Sequence, residues 1–219
     1  VESKEEYFYE RDCDEYGLPT KIKYYAGTSG TTLKNYKTLT YYFESNSTFR
    51  DKYLVAPVKE ENIYGSSGIR MKSTQIGYYT TSGKCGAIDY IKRLKSGSTY
   101  LTWDYSYSSS YPNDITITVN LPGTGGTETY EYRYGVLAEL RRPGYTEFSR
   151  TISRYDSSIN SETNQHGGTM TFKYDDLGRI TDIYMPTGFN DIDVDWNTTS
   201  VVIDQGATTI TKYWDGMGR

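Results

Sequence analysis

Two stretches near the end of the chain decide the prediction of its fold: Gln165-His-Gly-Gly-Thr-Met-Thr-Phe-Lys-Tyr-Asp-Asp-Leu-Gly-Arg179 and Gln205-Gly-Ala-Thr-Thr-Ile-Thr-Lys-Tyr-Trp-Asp-Gly-Met-Gly-Arg219. The second follows the first at an offset of 40 residues. The matched pairs are Gln165 and Gln205, Thr169 and Thr209, Thr171 and Thr211, Asp175 and Asp215, Gly178 and Gly218, Arg179 and Arg219, with Met170 matched to Ile210 and Tyr174 to Trp214. Self-similarity at such a fixed period is typical of repeat architectures, in which each unit is one supersecondary element.

The shared pattern is a strand with alternating polar residues, then an aromatic residue, Asp-x-x-Gly and Arg. An Asp at the first position of a turn accepts hydrogen bonds from backbone N–H groups two residues on, and Gly three residues later tolerates positive φ. The pattern therefore predicts hairpin turns at Asp175–Gly178 and Asp215–Gly218. Another Asp-x-x-Gly at Asp14–Gly17 precedes Gly178 by close to four periods, and a degenerate copy lies at Tyr134-Gly135.

Short segments rich in Tyr, Thr, Ile and Val, separated by Gly, Asn, Asp and Pro, predict further strands. The predicted strands are Thr38–Phe43, Tyr100–Tyr105, Ile115–Leu121, Thr127–Tyr134, Thr151–Tyr155, Thr169–Tyr174, Ile192–Trp196, Ser200–Ile203 and Thr209–Trp214. Hairpin loops are predicted at Pro122–Gly126 and Asp204–Gly206. Helical periodicity is nearly absent, and only Val136–Arg141 and Lys59–Asn62 offer a weakly indicated turn of helix. The expected fold is all-β, one continuous domain of repeated antiparallel hairpins over residues 1–219.

Tyrosine explains how a chain of low hydropathy folds. The chain has 219 residues, of which 25 are Tyr, and its mean hydropathy is -0.71. Disordered chains are usually poor in aromatic and β-branched residues, whereas Tyr combines a large apolar ring with a polar tip. The net charge of -4 and the scattered Lys and Arg argue against a nucleic-acid partner, and the sequence has no apolar run long enough for a membrane span.

The motif at Tyr174-Asp-Asp-Leu-Gly-Arg179, followed by Ile180 and then Pro186-Thr-Gly188, closely resembles the YD (Rhs) repeat. Val136–Gly144 resembles a variant of the second half of that repeat. Weaker matches begin at Trp214 and at Asp14. The residues that carry the resemblance in the turns are Tyr174, Asp175, Gly178, Arg179, Trp214, Asp215, Gly218, Arg219, Asp14 and Gly17. It is clearest over residues 130–219, whereas residues 26–100 depart from the pattern and are interpreted as degenerate repeats or an inserted β region.

Proteins of this family include bacterial Rhs and wall-associated proteins, toxin-complex subunits and animal teneurins. The resemblance implies a curved or spiralling β-sheet that forms part of a hollow shell around a toxin or effector. It predicts a structural scaffold in a secreted or cell-surface protein, with bacteria as the expected source. The implied partners are other repeats of a longer polypeptide and a toxin cargo or cell-surface glycan. A shell needs more repeats than 219 residues provide, so the chain is interpreted as a fragment.

Candidate catalytic and metal-ligating residues have structural interpretations that we favour. His166 is the only histidine and falls in a predicted turn, which removes most hydrolase and zinc-enzyme designs. Asp175, Asp176 and Asp182 form a conceivable acid pair for glycoside cleavage, but the repeat position of Asp175 favours a turn role. Asp191, Asp193 and Asp195 alternate on one predicted strand and favour a solvated face over a Ca²⁺ site. We therefore expect no enzyme activity, no cofactor and no metal.

Two questions stay open at the level of sequence. Cys13 and Cys85 are consistent with a disulfide, with buried small hydrophobes or with free thiols. The aromatic rows Tyr130, Tyr132 and Tyr134, or Trp103 with Tyr105 and Tyr107, favour cross-strand stacking, but they also suit a flat platform for sugar rings. A carbohydrate- or cell-surface-binding β module is thus the alternative function.

Overall fold

The computed structural model of the chain describes residues 2–27, 32–52, 54–81, 83–110 and 114–214. The prediction of an all-β fold is confirmed, because these residues form 17 strands and three short helical segments. Each strand pairing whose register is described is antiparallel. The chain divides into two compact units: unit 1 comprises residues 1–106 and 120–126, and unit 2 comprises residues 107–119 and 127–219.

Unit 1 is built from sequential hairpins with a helical insertion. Its strands are β1 (Glu2–Phe8), β2 (Lys21–Gly27), β3 (Thr32–Tyr41), β4 (Val58–Gly65), β5 (Arg70–Tyr78), β6 (Ile88–Ser96) and most of β7 (Thr99–Ser110). Each of β1 to β6 pairs with the strand that follows it in sequence. Short connections join β2 to β3, β4 to β5 and β6 to β7, whereas the longer connections after β1 and β3 carry the helical segments.

The best-buried part of unit 1 lies beside its helical segments, at one end of β3. Two 3₁₀ segments, Arg11–Tyr16 and Tyr42–Glu44, and the helix α1 (Ser47–Asp51) form around it. The core consists of Cys13, Tyr41, Phe43 and Phe49, each at most 4% exposed. Asn46 is the N-cap of α1, and its side chain accepts a hydrogen bond from the Phe49 backbone N–H at 3.3 Å.

Unit 2 follows the same rule of sequential pairing. Its strands are β8 (Asp114–Asn120), β9 (Thr127–Arg133), β10 (Val136–Arg142), β11 (Tyr145–Ile152), β12 (Ile159–Asn164), β13 (Thr169–Tyr174), β14 (Ile180–Tyr184), β15 (Ile192–Trp196), β16 (Ser200–Gln205) and β17 (Thr208–Tyr213). From β9 to β17 each strand pairs with the next. The 40-residue offset matches β13 with β17, so one sequence period spans four strands.

Several predicted boundaries are wrong, for local reasons. The strand predicted at Thr151–Tyr155 extends too far, because β11 ends at Ile152 and the Ser153 N–H donates to the Ser158 carbonyl to close a turn. The strand predicted at Thr38–Phe43 ends at Tyr41, where a 3₁₀ segment begins. The segments with weak helical indications, Val136–Arg141 and Lys59–Asn62, lie in β10 and β4, where cross-strand pairing overrides local propensity.

Both cysteines lie within the described residues, and they are not joined by a disulfide. Cys13 is fully buried in the core of unit 1, and Cys85 is half-buried and packs against the same cluster. Of the alternatives left open by the sequence, packing as small hydrophobic side chains fits this burial. Within the described ranges, no helix has the length and apolar character needed to cross a bilayer.

Candidate functional site

The turn from Asp175 to Arg179 connects β13 and β14, and the Asp175 carboxylate closes it. Asp175 Oδ1 accepts hydrogen bonds from the backbone N–H groups of Leu177 and Arg179, both at 2.9 Å. The Gly178 N–H donates to the Asp175 carbonyl at 2.9 Å, and Gly178 has φ +77°. This is a three-residue hairpin loop with a glycine in the left-handed region, the conformation that Gly adopts without a steric penalty.

The Arg179 side chain binds the second carboxylate oxygen of Asp175. Its Nε lies 2.7 Å and its Nη2 2.6 Å from Asp175 Oδ2. The hydrogen bond from the Arg179 backbone N–H, followed by those from the Arg179 side chain and the Leu177 N–H, lowers the pKa of Asp175 below its ordinary value. Both carboxylate oxygens are therefore engaged within the turn, so Asp175 is an ionised structural acid and not a poised proton donor.

Aromatic side chains tie the strand ends to their neighbours through single hydrogen bonds. The Tyr174 hydroxyl donates to the Ile159 carbonyl at 2.8 Å, and burial raises the pKa of this phenol. Trp196 Nε1 donates to the Ile180 carbonyl, also at 2.8 Å, while the Arg179 guanidinium lies 5.1 Å from the centre of the Trp196 ring. These contacts place an aromatic ring on the hairpin that carries the turn, where a cation–π contact orients the arginine.

Of the later copy of the motif, which begins at Trp214, the structure describes only Trp214 itself. Trp214 Nε1 donates to the Thr198 carbonyl at 2.9 Å, and its ring centre lies 6.4 Å from that of Trp196. Asp215, Gly218 and Arg219 fall outside the described residues. The two tryptophans thus form a tilted aromatic pair, which the sequence did not indicate because one ends β15 and the other follows β17.

The Asp-x-x-Gly at Asp14–Gly17 has a different local structure. Asp14 lies inside the 3₁₀ segment Arg11–Tyr16, and Gly17 ends that segment with φ +64°. The Gly17 N–H donates to the Asp14 carbonyl, and the Leu18 N–H donates to the Cys13 carbonyl. The glycine keeps its conformational role, whereas among the described residues no hydrogen bond to the Asp14 carboxylate closes this turn.

Asn164 forms the same turn as Asp175 without belonging to the motif. Its Oδ1 accepts from the N–H groups of His166 at 2.9 Å and Gly168 at 3.1 Å, and Gly167 has φ +82°. The positions two and four residues on are those that bind Asp175. His166 is exposed in this turn, as predicted. An amide that replaces a carboxylate while keeping the turn supports a structural use of the Asp position.

The degenerate copy at Tyr134-Gly135 is a tighter turn. Arg133 pairs with Val136, so only two residues connect β9 and β10. Tyr134 has φ +52° and Gly135 has φ +81°, which are the positive values of a type I′ turn. Tyr134 therefore lies in the turn and does not continue the row of Tyr130 and Tyr132.

Three aspartates of unit 2 lie opposite one another on neighbouring strands. The register places Asp182 opposite Asp193, and Asp193 opposite Asp204. Like charges directly opposite each other are unfavourable, and two threonines offset part of this cost by donating hydrogen bonds: Thr181 to Asp182 and Thr209 to Asp204.

An open groove of about 550 Å³ lies along this acidic row. Its lining consists of Asp175, Arg179, Thr181, Asp182, Asp193, Val194, Asp195, Trp196 and Asp204. Trp196 is 39% exposed and contributes a partly accessible aromatic ring to this groove. Within the part of the chain that the structure describes, no group of three or more His, Cys, Asp or Glu side chains is arranged to hold a metal ion.

The residues predicted as a sugar platform are half-buried and partly engaged by neighbours. Tyr130 donates from its hydroxyl to Glu128 at 2.7 Å, and Tyr132 pairs with Leu137 on β10. Trp103 belongs to unit 1, and the Arg93 guanidinium lies 5.4 Å from the centre of its ring. The contacts of Tyr132 and Trp103 are those of cross-strand packing, whereas Glu128 lies on the same strand as Tyr130.

No protein-family model matches the chain, and no curated protein sequence matches it.

Proposed function

We propose that this chain is a structural scaffold of YD-type repeats, part of a secreted or cell-surface protein that encloses a toxin or effector. The observation that supports the proposal best is the internal use of the motif. Asp175 binds two backbone N–H groups and the Arg179 side chain, so its carboxylate holds two strands at a fixed geometry.

The spacing of the repeat supports the same role. A period of 40 residues spans four antiparallel strands, and successive hairpins extend a sheet in one direction. Each hairpin buries little by itself: in unit 2 the strands β13 and β17 alternate or expose their side chains along their whole length. Such units gain stability from neighbours that pair with them, which suits a wall or a shell.

The same contacts argue against a catalytic role for His166 and Asp175. His166 is exposed in a turn, where its backbone N–H binds Asn164, and the acid of the motif is ionised and paired. General acid–base catalysis needs a group that can exchange a proton near its operating pH. The lowered pKa of Asp175 keeps its carboxyl group ionised, so it does not meet that requirement.

Limited proteolysis of the polypeptide that contains this segment tests the scaffold. We expect a cargo segment that resists protease in the wild-type protein and becomes cleaved in the double variant Asp175→Ala/Gly178→Ala. A matched variant, Asp176→Ala, changes an exposed acid of the same turn and should leave protection unchanged. A wild-type polypeptide in which every segment is cleaved at the same rate would contradict the proposal.

A further inference from the structure

A groove of about 400 Å³ on the sheet of unit 1 has the composition of a small binding site. Tyr24, Asn35, Lys37 and Ile63 line it, and they come from β2, β3 and β4. The strand register explains why they meet: Tyr24 lies opposite Asn35, and Lys37 lies opposite Ile63. Three of these residues lie within residues 26–100 and Tyr24 lies just before them, so the groove is outside the region of clear repeats at residues 130–219.

The groove combines an apolar floor with unused hydrogen-bonding groups. Tyr24 and Ile63 supply a ring face and an aliphatic side chain. Among the described residues, the Asn35 amide and the Tyr24 hydroxyl have no side-chain hydrogen bond, so a donor–acceptor amide and a phenol remain available. Gly65 lies opposite Asn35 and adds no side chain on that side.

The charge in the groove is already balanced. Lys37 Nζ lies 3.0 Å from Glu61 Oε2, and both side chains are about three-quarters covered, with 26% and 30% exposed. An anionic ligand would compete with Glu61 for Lys37, and a cationic ligand would compete with Lys37 for Glu61. A neutral ligand with hydroxyl groups can bind both members without separating the pair, because a hydroxyl donates and accepts.

We propose that this groove binds one pyranose ring of a neutral glycan. The apolar C–H face of the sugar lies on the Tyr24 ring and Ile63, and its hydroxyls bind the Asn35 amide and the Lys37–Glu61 pair. Apolar contact with a few convergent polar groups is the usual design of a small-molecule site. Tyr7 on β1 is 48% exposed and pairs with Ile22, two residues from Tyr24, which offers a ring for a second sugar unit. The site does not depend on the proposed scaffold role.

The test is a glycan array with the intact chain, followed by titration of neutral hits monitored by NMR. We expect binding of neutral oligosaccharides, with shifts of the Asn35 side-chain amide signal. Tyr24→Ala should weaken binding by about tenfold or more, the scale expected when an aromatic anchor is removed. Tyr24→Phe keeps the ring and should lose less, and Asn35→Ala tests the amide without altering the aromatic packing.

Two control variants separate this site from other surfaces. Tyr155→Ala removes a ring that is 87% exposed in unit 2 and should leave binding unchanged. Tyr132→Ala removes a ring of the platform predicted from sequence and should also leave it unchanged. Loss of glycan binding in Tyr132→Ala with none in Tyr24→Ala and Asn35→Ala would overturn the proposal. Binding of only charged glycans, or of an extended peptide in place of any glycan, would overturn it as well.

Discussion

Unit 1 and unit 2 are both antiparallel meanders, but different contacts hold them together. Unit 1 has a compact aromatic core with Phe43 and Phe49 at most 1% exposed. In unit 2 the buried apolar side chains among the described residues are smaller: Val119, Ala138, Leu140 and Val201. The same strand pairing is therefore stabilised by side-chain burial in one unit, and to a larger extent by turns and polar cross-strand contacts in the other.

Both units contain cation–π contacts and ion pairs, but lysine supplies most of the cations in unit 1 and arginine most of those in unit 2. In unit 1 lysines lie over aromatic rings, as Lys23 does over Phe8 at 4.5 Å and Lys21 over Tyr36 at 4.9 Å. In unit 2 arginines bind carboxylates, as Arg150 binds Glu162 at 2.7 Å. A guanidinium presents a planar set of donors to a carboxylate, whereas an ammonium is a compact charge on an apolar stem. The ion pairs described in unit 2 all use the guanidinium.

The largest expected effect is on the core of unit 1. Phe49→Ala should destabilise unit 1 by about 3–5 kcal/mol, because it removes a fully buried ring and leaves a cavity. Hydrogen exchange of β3 and β4 amides measures the change. Phe189→Ala, at 68% exposed in unit 2, is the matched control and should have little effect. Equal losses in both variants would mean that burial does not distinguish the two phenylalanines.

The glycines of the two structurally described Asp-x-x-Gly segments should respond alike. Gly178→Ala and Gly17→Ala each place a Cβ at positive φ, where no atom lies within 4 Å of it, so only backbone strain is introduced. We expect a loss of about 1–2 kcal/mol in each case. Urea denaturation followed by circular dichroism gives the values. A neutral Gly178→Ala would show that the turn adopts another conformation.

The aspartates of those segments should differ. Asp175→Ala removes the acceptor of two backbone N–H groups and of Arg179, so the urea midpoint should fall. Asp14→Ala leaves the backbone bonds of its 3₁₀ segment intact and should change the midpoint less. The same denaturation experiment compares them. If Asp14→Ala proved the more harmful variant, the distinction between the two motifs would be lost.

A smaller effect on the stability of the fold is expected when the pH is lowered. The Asp175 pKa is lowered in the folded chain, so its ionised form favours folding at pH values above the ordinary value of 3.8. That contribution disappears as the pH falls through the lowered pKa. A carboxyl NMR titration should therefore place Asp175 below 3.8. In Arg179→Gln the value should rise but stay lowered, because the Arg179 backbone N–H, the leading cause, remains. A value at or above the ordinary one in the wild-type chain would refute the turn geometry.

The smallest effect concerns an exposed ion pair. Arg142 binds Glu128 at 2.9 Å and Glu147 at 2.8 Å, with 41% of its side chain exposed. Solvent and salt screen such pairs, so Arg142→Gln should barely move the urea midpoint. Arg150→Gln, which loses a half-buried pair and a bond to the Leu137 carbonyl, should move it more. The reverse order would show that exposure does not set the strength of these pairs.

Much of the fold was predictable because turn chemistry is local. The hairpin at residues 175–179 and the strand β15 lie where composition indicated them. The prediction failed where neighbours decide the outcome. The list of predicted strands omits β5, in which a Cβ on Gly77 would come within 2.3 Å of the Tyr90 ring on β6. An aromatic ring on the next strand covers the glycine, a device that no local pattern reveals.

The sequence by itself determined that this chain is all-β and where its glycine-bearing turns fall, since both depend on φ preferences and hydrogen bonds within a few residues. Only the tertiary structure decided which side chains become neighbours. The row of Asp182, Asp193 and Asp204 and the meeting of Tyr24 with Asn35 depend on strand register. A slip of one residue would turn each of these side chains to the other face of the sheet, because successive residues of a strand point in opposite directions.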